Sequence, residues 1–419
     1  MTLRRAVVTG LGVIAPNGFG TEAFWAATTD GRSGIGRLTA FDPAEYTCRI
    51  AGEVDDYRPD EHFDHKQLKH IDRFAQLGVV ASRMAVADSG LDPTAEDPHR
   101  LGCLLGSGLG GVLFHEEQMI VNCDAGPRRQ NPYAVPRIAP NAVSAHIAIE
   151  HDLKGPNLVI STACASGNHA IGEALRKVQH GEADVVFTGG VEAPLTRTTF
   201  GAYCALRVMS TRNNEPERAS RPFDKDRDGF VMSEGAAVLI LEELEHALRR
   251  GARVYAELAG YGLTSGAYHM VMPDPSGDDA AAAMRAALAD AQASPRQVDY
   301  INAHGTSTQA NDLAETRAIR TVFGEHTSTV PVSSTKSMTG HTIGAAGAIE
   351  AAVCCLALDR QVLPPTINYE TPDPECDLDC VPNMARPATV ALALSNSFGF
   401  GSVNACVAFR RYAREGKDA

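Results

Sequence analysis

The sequence has no CxxC cysteine pair, no apolar run of about 18 residues and no excess of positive charge. Without paired cysteines a zinc site is not expected, and without a long apolar run neither is a membrane-spanning helix. The 38 Lys and Arg residues against 51 Asp and Glu leave a net charge of -13, which argues against broad nucleic-acid binding. The first residues show no secretory signal pattern. These absences predict a cytoplasmic protein with no metal, no membrane and no nucleic-acid partner.

The sequence does contain an alternation of β-like and helix-like segments. Four apolar runs indicate buried strands: "RAVVTGLGVI", "RLGCLLGSG", "NLVIST" and "ADVVFTGG". Two alanine-rich stretches predict helices, "SGDDAAAAMRAALADAQA" and "GHTIGAAGAIEAAVCCLALDR". Ser276 or a neighbouring Asp is the expected N-cap of the first helix. Together these segments predict an α/β fold.

A weak internal repeat suggests that the chain has two related halves. The stretch "VISTACASGNHAIGEA" aligns with "VSSTKSMTGHTIGAAG", so that Gly167 matches Gly340. Both stretches have the order strand, small-residue turn, helix. We therefore predict two halves, residues 1–253 and 254–412, whose turns meet at one site, followed by a solvated tail at 413–419.

Cys164 lies in "STACASG", where a strand is expected to become a helix. The free N–H groups and the positive dipole end of a helix N-terminus favour a thiolate. Ala163, Ala165 and Gly167 leave space beside the sulfur for a substrate. These features favour a nucleophile, and an inert core cysteine is the alternative.

His304 lies in a second small-residue turn, "INAHGTSTQAND", after an apolar run. A side chain at such a strand end can face a cavity, and Thr306 and Thr308 add hydroxyl groups nearby. The alternative is a histidine whose hydrogen bonds are satisfied within a loop.

Two more glycine-rich turns complete the set of candidate residues. Lys336 and His341 lie five residues apart in "SSTKSMTGHTIGAAG". A buried lysine needs a partner, and Glu350 is a nearby candidate. Phe398 and Phe400 alternate with glycines in "SNSFGFGSVNA", where backbone amides can approach a ligand closely, unless this is a simple turn between strands. A thiol, two histidines and a lysine suit thioester chemistry, because neutral imidazoles can donate hydrogen bonds to a developing enolate.

The stretch "DKDRDGFVMSEG" resembles a calcium-binding EF-hand loop only in part. Asp224, Asp226, Asp228 and Gly229 match its first positions, but Gly235 occupies position twelve, where a bidentate Glu is needed. A β-like run follows instead of a helix. We do not expect calcium there.

The ordered motifs "TACASG", "NAHGTST", "KSMTGH" and "NSFGFG" resemble those of condensing enzymes of the β-ketoacyl-ACP synthase I/II type. The resemblance covers residues 3 to 411. It implies a dimeric thiolase fold with duplicated halves in a five-layered αβαβα core, and a decarboxylative condensation of malonyl-ACP with a cysteine-bound acyl chain. An acyl carrier protein would be the partner, and no cofactor is implied beyond its phosphopantetheine.

The resemblance also implies roles for individual residues. Cys164 would accept the acyl group, the two histidines would serve malonyl decarboxylation, and the backbone N–H groups of Cys164 and Phe400 would form the oxyanion hole. The implied catalytic residues are Cys164, His304, Lys336, His341, Glu350 and Phe400. The implied substrate-binding residues are Thr306, Thr308, Leu109 and Phe398. A structural monovalent cation is implied near Asn302, Glu350, Ser395 and Asn396.

The branch of the family is a finer question. "YTCRIAGEV", "NNEPERASRPFD" and "TPDPECDLDCVP" resemble the ketosynthase-alpha subunits of bacterial type II polyketide synthases, whereas "STACASG" and "HGTST" resemble the fatty-acid enzymes. The mixture resembles ketosynthases of reducing, polyene-making systems, which pair with a chain-length factor. One alternative is a homodimeric housekeeping β-ketoacyl-ACP synthase II that elongates fatty acids. The other is a non-catalytic subunit like a chain-length factor. Ser402 replaces a usual glycine and Val271 a usual threonine near the entrance.

Docking of an acidic carrier protein on this acidic chain requires a local basic patch. In "HKQLKHIDRF", the spacing of three and four residues puts basic side chains on one side if the stretch is helical. The predicted carrier-docking residues are Lys66, Lys69, Arg73, Arg128, Arg129 and Arg207.

Overall fold

The computed structural model describes residues 3–413 and has an α/β architecture. The strands are β1 Ala6–Ala15, β2 Gly18–Phe19, β3 Ile35–Arg37, β4 Ile50–Gly52, β5 Leu101–Gly106, β6 Asn157–Ile160, β7 Val185–Glu192, β8 Gly235–Glu243, β9 Ala256–Ser265, β10 Tyr300–Asn302, β11 Val332–Ser333, β12 Val362–Leu363, β13 Arg386–Pro387, β14 Leu392–Gly399 and β15 Val403–Arg410. The α-helices are α1 Thr21–Thr29, α2 His65–Leu68, α3 Arg73–Ser89, α4 Val112–Ala125, α5 Ala134–Ile138, α6 Ala142–His151, α7 Ser166–Gln179, α8 Arg197–Leu206, α9 Leu244–Arg249, α10 Asp278–Asp290, α11 Gln309–Phe323, α12 Lys336–Thr339 and α13 Ala346–Arg360.

One large sheet runs through both halves of the chain, in the order β11-β10-β14-β15-β9-β1-β8-β7-β5-β6. From β1 outward, β8 and then β7 each pair antiparallel with the strand before them in this order, and β5 and then β6 each pair parallel with it. From β9 outward, β15, β14, β10 and β11 repeat the same directions. The two parts join where β1 pairs with β9, from Ala6↔Leu258 to Val8↔Ala256. The sheet is therefore two copies of one strand pattern.

Helices on both faces of the sheet produce the layers. Helix α3 packs against β1 and α6 against β5, and the two helices contact each other. Helix α10 packs against β9 and β15, and α11 packs against α10. Helices α7 and α13 contact strands of both parts of the sheet and each other. Because α13 is central, it is buried from Ala346 to Leu358, as expected of a helix that is apolar on all sides. Because α7 and α13 lie between the two parts of the sheet, each part forms its own layer. The resulting order of helix, sheet, helix, sheet and helix agrees with the expected αβαβα core.

The two central helices approach closely at glycines. A Cβ atom on Gly167 would lie 2.8 Å from the backbone nitrogen of Ala348, and one on Gly347 would lie 2.9 Å from that of Asn168. Both separations are too short for a real Cβ. The internal repeat therefore pairs Gly167 with Gly347 in space. The sequence match of Gly167 to Gly340 was out of register, because Gly340 ends the short helix α12.

The stretch expected to be one basic helix is two elements. Helix α2 ends at Leu68, and α3 begins at Arg73. Asp64 caps α2 and Asp72 caps α3, each through its carboxylate and backbone N–H groups of the following turn. The prediction of a continuous helix was wrong because the spacing of basic residues runs through this second N-cap.

Other local expectations also change. Strand β6 was expected to be buried, but it is the edge of the sheet and Leu158 is 50% exposed. The N-cap of helix α10 is Gly277, so the helix has no side-chain cap at the position predicted for Ser276 or an Asp. The Ser276 hydroxyl does accept a hydrogen bond from the N–H of Asp278 at 3.1 Å. The α-helix that was predicted to begin at residue 340 begins at Ala346.

The EF-hand-like stretch is a buried turn that uses its first carboxylate internally. Asp224 accepts hydrogen bonds from Arg221 and from the N–H groups of Glu370 and Thr371. These contacts hold the turn against residues 370–371, so the carboxylate is already satisfied by protein donors. Among residues 3–413 no helix has the length and apolarity to cross a bilayer. The predicted tail lies outside the described residues from position 414 onward.

Candidate active site

Cys164 lies in a strained turn between β6 and α7. Ala163 has a φ of 50°, in the left-handed region, and α7 begins two residues after Cys164 at Ser166. The Ser166 hydroxyl accepts from the N–H of Thr162 at 2.8 Å and donates to the carbonyl of Ala163 at 2.7 Å. This fixed turn directs the thiol into the interior, where Cys164 is 6% exposed.

Burial decides the protonation of the thiol. It raises the pKa of Cys164 to about 11, while the charge of Lys336 and the backbone N–H of Phe400 act in the opposite direction. The expected thiolate at a helix N-terminus is therefore not the resting state. Burial is the largest of these effects, and it disfavours the anion more than the lysine charge and the backbone N–H groups favour it.

Two histidines face the thiol. His341 Nε2 lies 3.0 Å from Cys164 Sγ, and the ring of His304 meets that of His341 edge-on at 5.5 Å between centroids. One ligand atom from each of the three residues lies within 4.8 Å of the others, a spacing that a soft metal ion would also accept. Burial, and then the charge of Lys336, hold the pKa values of both histidines well below the usual range. Both rings are thus neutral and can accept or donate one proton.

Lys336 is buried beside its expected partner. Its ammonium donates a hydrogen bond to Glu350 on α13, and the side chains are 1% and 2% exposed. Burial raises the pKa of Glu350 to about 7, and the neighbouring ammonium opposes that rise. The buried positive charge lies close enough to the cysteine and both histidines to lower their pKa values.

A cavity of about 130 Å³ surrounds these groups. It is lined by Cys164, both histidines and three of the four predicted substrate-binding residues, Thr306, Thr308 and Phe398. Phe400, which was predicted as a catalytic residue, also lines it. The two threonine hydroxyls lie 2.9 Å apart. Leu109 is not in this wall. Its N–H donates to the buried carboxylate of Glu192 at 3.1 Å, and its substrate-binding role stays a prediction.

The loop around Phe400 is fastened to the loop before α10. Ser402 has a φ of 58°, a conformation that glycine adopts without strain. Its hydroxyl lies within hydrogen-bond distance of the N–H groups of Tyr268 and His269 and donates to the carbonyl of His269 at 3.0 Å. The serine noted in the sequence therefore holds two loops together at the cavity wall, which Val271 also lines.

Three buried oxygens of the predicted cation set have no hydrogen-bond partner among the described residues: Asn302 Oδ1, Asn396 Oδ1 and Glu350 Oε2. They come from β10, β14 and α13. Oxygen donors of this kind suit a hard cation. The fourth residue of the expected cation set, Ser395, is fully buried, and its carbonyl accepts a hydrogen bond from Asn168 at 3.1 Å.

The first predicted docking residues have different environments. Lys66 and Lys69 are exposed at the surface. Arg73 donates two hydrogen bonds of 2.6 Å to Glu234 and lies 5.3 Å from the ring centroid of Tyr57. We therefore remove Arg73 from the docking set, because its charge is already paired inside the protein.

The other predicted docking residues are exposed. Arg128 and Arg129 form one turn of 3₁₀ helix after α4, and Arg207 ends α8 in the left-handed conformation. None of the three has a side-chain hydrogen bond or ion pair within residues 3–413, so their guanidinium groups are free for another molecule.

Sequence reasoning missed three residues of the site. Glu192 accepts hydrogen bonds from N–H groups on two separate segments, at Gly108 and Leu109 on one and at Gly344 on the other. Glu315 accepts from the N–H of His304 at 2.8 Å and so fixes that turn. Tyr203 lines the cavity. None of them lies in a small-residue turn, the signal by which the other residues were found.

Two family models match this chain. The model for "Beta-ketoacyl synthase, N-terminal domain" matches residues 3–247, and that for "Beta-ketoacyl synthase, C-terminal domain" matches residues 255–370. The chain belongs to the β-ketoacyl synthase family. This β-ketoacyl synthase is 48% identical over 409 residues to 3-oxoacyl-[acyl-carrier-protein] synthase 2 of Synechocystis sp., which covers 98% of each chain. It is 46% identical over 411 residues to the protein of the same name in Coxiella burnetii, which covers 98% of this chain and 99% of that one.

Solved structures of polyketide enzymes are similar to this β-ketoacyl synthase over nearly its whole length. One is described as a type II PKS acyl-carrier protein in complex with its ketosynthase bound to the hexaketide, with a TM-score of 0.92, 36% identity and coverage of 98% of this chain and 100% of that chain. Another is the ishigamide ketosynthase/chain length factor, with a TM-score of 0.92, 37% identity and the same coverage. The expected family and thiolase fold are confirmed. The protein is a β-ketoacyl-ACP synthase of the I/II type, a condensing acyltransferase.

Proposed function

We propose that Cys164 carries the growing acyl chain and that both histidines serve its condensation with a malonyl thioester. The observation that carries this proposal is the contact of 3.0 Å between His341 Nε2 and the Cys164 sulfur at the cavity wall. A neutral thiol beside a neutral imidazole can transfer its proton at the moment of attack.

In the first half-reaction, Cys164 Sγ attacks the thioester carbonyl of the incoming acyl carrier while His341 takes the thiol proton. The oxyanion accepts hydrogen bonds from the backbone N–H groups of Cys164 and Phe400. The carrier sulfur then leaves and takes a proton from His341. The products are acyl-Cys164 and the free carrier thiol.

In the second half-reaction, the malonyl carboxylate leaves as CO₂ and its electron pair stays on the thioester as an enolate. Neutral N–H groups of His304 and His341 stabilise the enolate oxygen. The enolate carbon attacks the acyl carbonyl, and Cys164 leaves as a thiolate that takes up a proton from water. The product is the β-ketoacyl thioester on the second carrier.

Two variants test these roles. Cys164→Ala should abolish acyl-enzyme formation, measured as a mass increase on the peptide that contains residue 164. His304→Ala should lose malonyl decarboxylation and retain part of the acyl transfer. Acylation of another cysteine, or normal malonyl turnover in both His304→Ala and His341→Ala, would reject the assignment.

For the pathway, we propose chain elongation in a type II polyketide system. The fit to polyketide ketosynthases over 98% of the chain supports it. Elongation in fatty-acid synthesis is the second candidate, favoured by the higher identity of 48% to a 3-oxoacyl-[acyl-carrier-protein] synthase 2. Elongation by the purified chain alone would favour the fatty-acid role, whereas activity only after co-expression with a cysteine-less homologue would favour the polyketide role.

We propose that an acidic acyl carrier protein docks on Lys66, Lys69, Arg128, Arg129 and Arg207. All five side chains are exposed on a chain whose net charge of -13 repels such a partner at long range. Lys69→Glu with Arg129→Glu should raise KM for acyl-ACP and spare turnover of small acyl thioesters. Added salt should weaken the wild type likewise, because surface charges are screened over about 8–10 Å.

The matched control for docking is Lys225→Glu with Arg296→Glu. These exposed cations have no side-chain partner among residues 3–413, and the control changes net charge by the same amount as the docking variant. An equal rise of KM in both double variants would show a general charge effect and remove this patch as the docking surface.

We propose that a second condensing-enzyme chain, a chain-length factor, binds along the edge strand β6. Leu158 on β6 and Ile149 on α6 are 50% and 80% exposed, and Met119, Ile120 and Val135 add exposed apolar surface on α4 and α5. Light scattering of the purified and the co-expressed protein distinguishes a homodimer, a heterodimer and a monomer. A monomer in both samples would refute the proposal.

We further propose a structural monovalent cation at Asn302, Glu350, Ser395 and Asn396, where three buried oxygens lack a hydrogen-bond donor among the described residues. Its test is the thermal unfolding temperature in potassium and in choline chloride at equal ionic strength. We expect a higher temperature in potassium for the wild type and no difference for Asn396→Ala. Equal temperatures in the wild type would reject the site.

A further inference from the structure

The cavity around Cys164 has two chemically different ends. At one end the side chains of Thr306, Thr308 and Asn311 line the wall, and the cavity reaches the surface at Met272, which is 48% exposed. Hydroxyl and amide groups there suit the polar arm of a carrier. An acyl chain on Cys164 would therefore occupy the other end of the cavity.

The other end of the cavity is mostly apolar. Val208, Phe230, Ile343 and Phe400 line it. Tyr203 adds one phenol group to this wall. A single polar group in an apolar pocket commonly fixes the orientation of a ligand and selects among ligands.

The ring of Tyr203 is held on two sides. It stacks on Phe400 with 6.2 Å between centroids, and Phe230 meets it edge-on at 5.7 Å and 86°. Phe230 in turn contacts His341 edge-on at 5.3 Å. The phenol therefore has a fixed position beside the residues that we propose for catalysis.

The hydroxyl of Tyr203 has no hydrogen bond to any residue in 3–413. Two buried phenols elsewhere do have partners, since Tyr57 donates to Gln76 at 2.9 Å and Tyr300 lies 2.8 Å from the hydroxyl of Ser333. The hydroxyl of Tyr261 also lacks a partner in that range, but this residue does not line the cavity. Burial, and then negative charge on Cys164 and Glu192, raise the pKa of Tyr203 well above its usual range. The hydroxyl therefore keeps its proton and is available as a donor.

We propose that Tyr203 is a specificity-determining residue that donates a hydrogen bond to an oxygen of the acyl chain, so that the enzyme prefers keto- or hydroxy-bearing chains over saturated ones. A saturated chain would cover the hydroxyl without giving it a partner, and a buried polar group without a partner is unfavourable. An oxygen on the chain removes this penalty. The preference rests on the proposed acylation of Cys164.

The test measures the rate at which Cys164 is acylated by three pantetheine thioesters: octanoyl, 3-hydroxyoctanoyl and 5-oxooctanoyl. Peptide mass spectrometry under single-turnover conditions gives each rate for the wild type, for Tyr203→Phe and for the control Tyr46→Phe. Tyr46 is a phenol outside the cavity wall whose hydroxyl donates to the carbonyl of Arg197 at 3.3 Å.

In Tyr203→Phe, the ratio of oxygenated to saturated rates should fall about 3- to 10-fold for at least one oxygenated chain. The control should keep the wild-type ratio. Unchanged ratios for both oxygenated chains, or an equal fall for all three thioesters, would overturn the proposal. Absence of acylation of the wild type by every thioester would instead reject the role of Cys164, so the two failures are distinguishable.

Discussion

The resting protonation of Cys164 leads to a prediction about its reactivity with pH. Burial raises the pKa of the thiol to about 11, and burial with the Lys336 charge holds the pKa of His341 well below the usual range. The contact of 3.0 Å therefore joins two neutral groups at pH 7. At pH 8, a thiol with a pKa of about 11 is ionised in about one molecule in a thousand.

The assay is alkylation of Cys164 by iodoacetamide between about pH 6 and 10, followed by peptide mass spectrometry with a chelator present. We expect the rate constant to rise about tenfold per pH unit, with no plateau below about pH 10. Lys336→Met should lower the rate at pH 9, because the ammonium that favours the thiolate is removed. Cys123 is exposed and reports the reactivity of the reagent in the same sample.

A plateau between about pH 6 and 8 would refute this reasoning. It would mean that Cys164 and His341 rest as a thiolate–imidazolium pair and that the charges near the sulfur outweigh its burial. A rate in Lys336→Met equal to that of the wild type would separately show that the ammonium is too well neutralised by Glu350 to act on the thiol.

Three further substitutions test the interior and the loops. Glu350→Gln leaves Lys336 as an uncompensated buried charge and should cost about 3–5 kcal/mol, seen as a lower unfolding temperature, whereas adding Lys336→Met should recover most of the loss. Ser402→Ala keeps the left-handed backbone and loses the hydroxyl, so it should be less stable than Ser402→Gly by about 1 kcal/mol, and equal unfolding temperatures would contradict the strain. Gly167→Val would force a side chain into the backbone of α13 and should abolish soluble expression, while Gly36→Ala meets open space and should not.

Strands and small-residue turns were predictable because their signals are local. The apolar runs became β1, β5, β6 and β7, and the four glycine-rich turns meet around one cavity. The break before α3 was missed because the basic residues keep helical spacing across it. Its signal was Asp72, whose carboxylate accepts from the N–H of Phe74 at 3.2 Å and so ends one element and starts the next.

The sign of the thiol pKa shift could not be predicted from neighbours in sequence. The groups that bury Cys164 belong to segments more than a hundred residues away, such as His341 and Phe400. Glu192 was missed for the same reason, since its donors lie on two other loops. Desolvation depends on what the folded chain brings together, and a motif records only what is adjacent along it.

The repeated strand pattern has a consequence for how such a site can arise. Cys164 lies between β6 and α7, and His341 lies between β11 and α13, the matching connection in the other half. In the register that pairs Gly167 with Gly347, the residue matching Cys164 is Gly344 and the residue matching His341 is Ser161. Two identical halves related by symmetry would therefore build the thiol–imidazole pair twice, once on each side of the junction. Because the two halves differ in sequence, this chain builds the pair only on one side, so one junction carries a single nucleophile with its base.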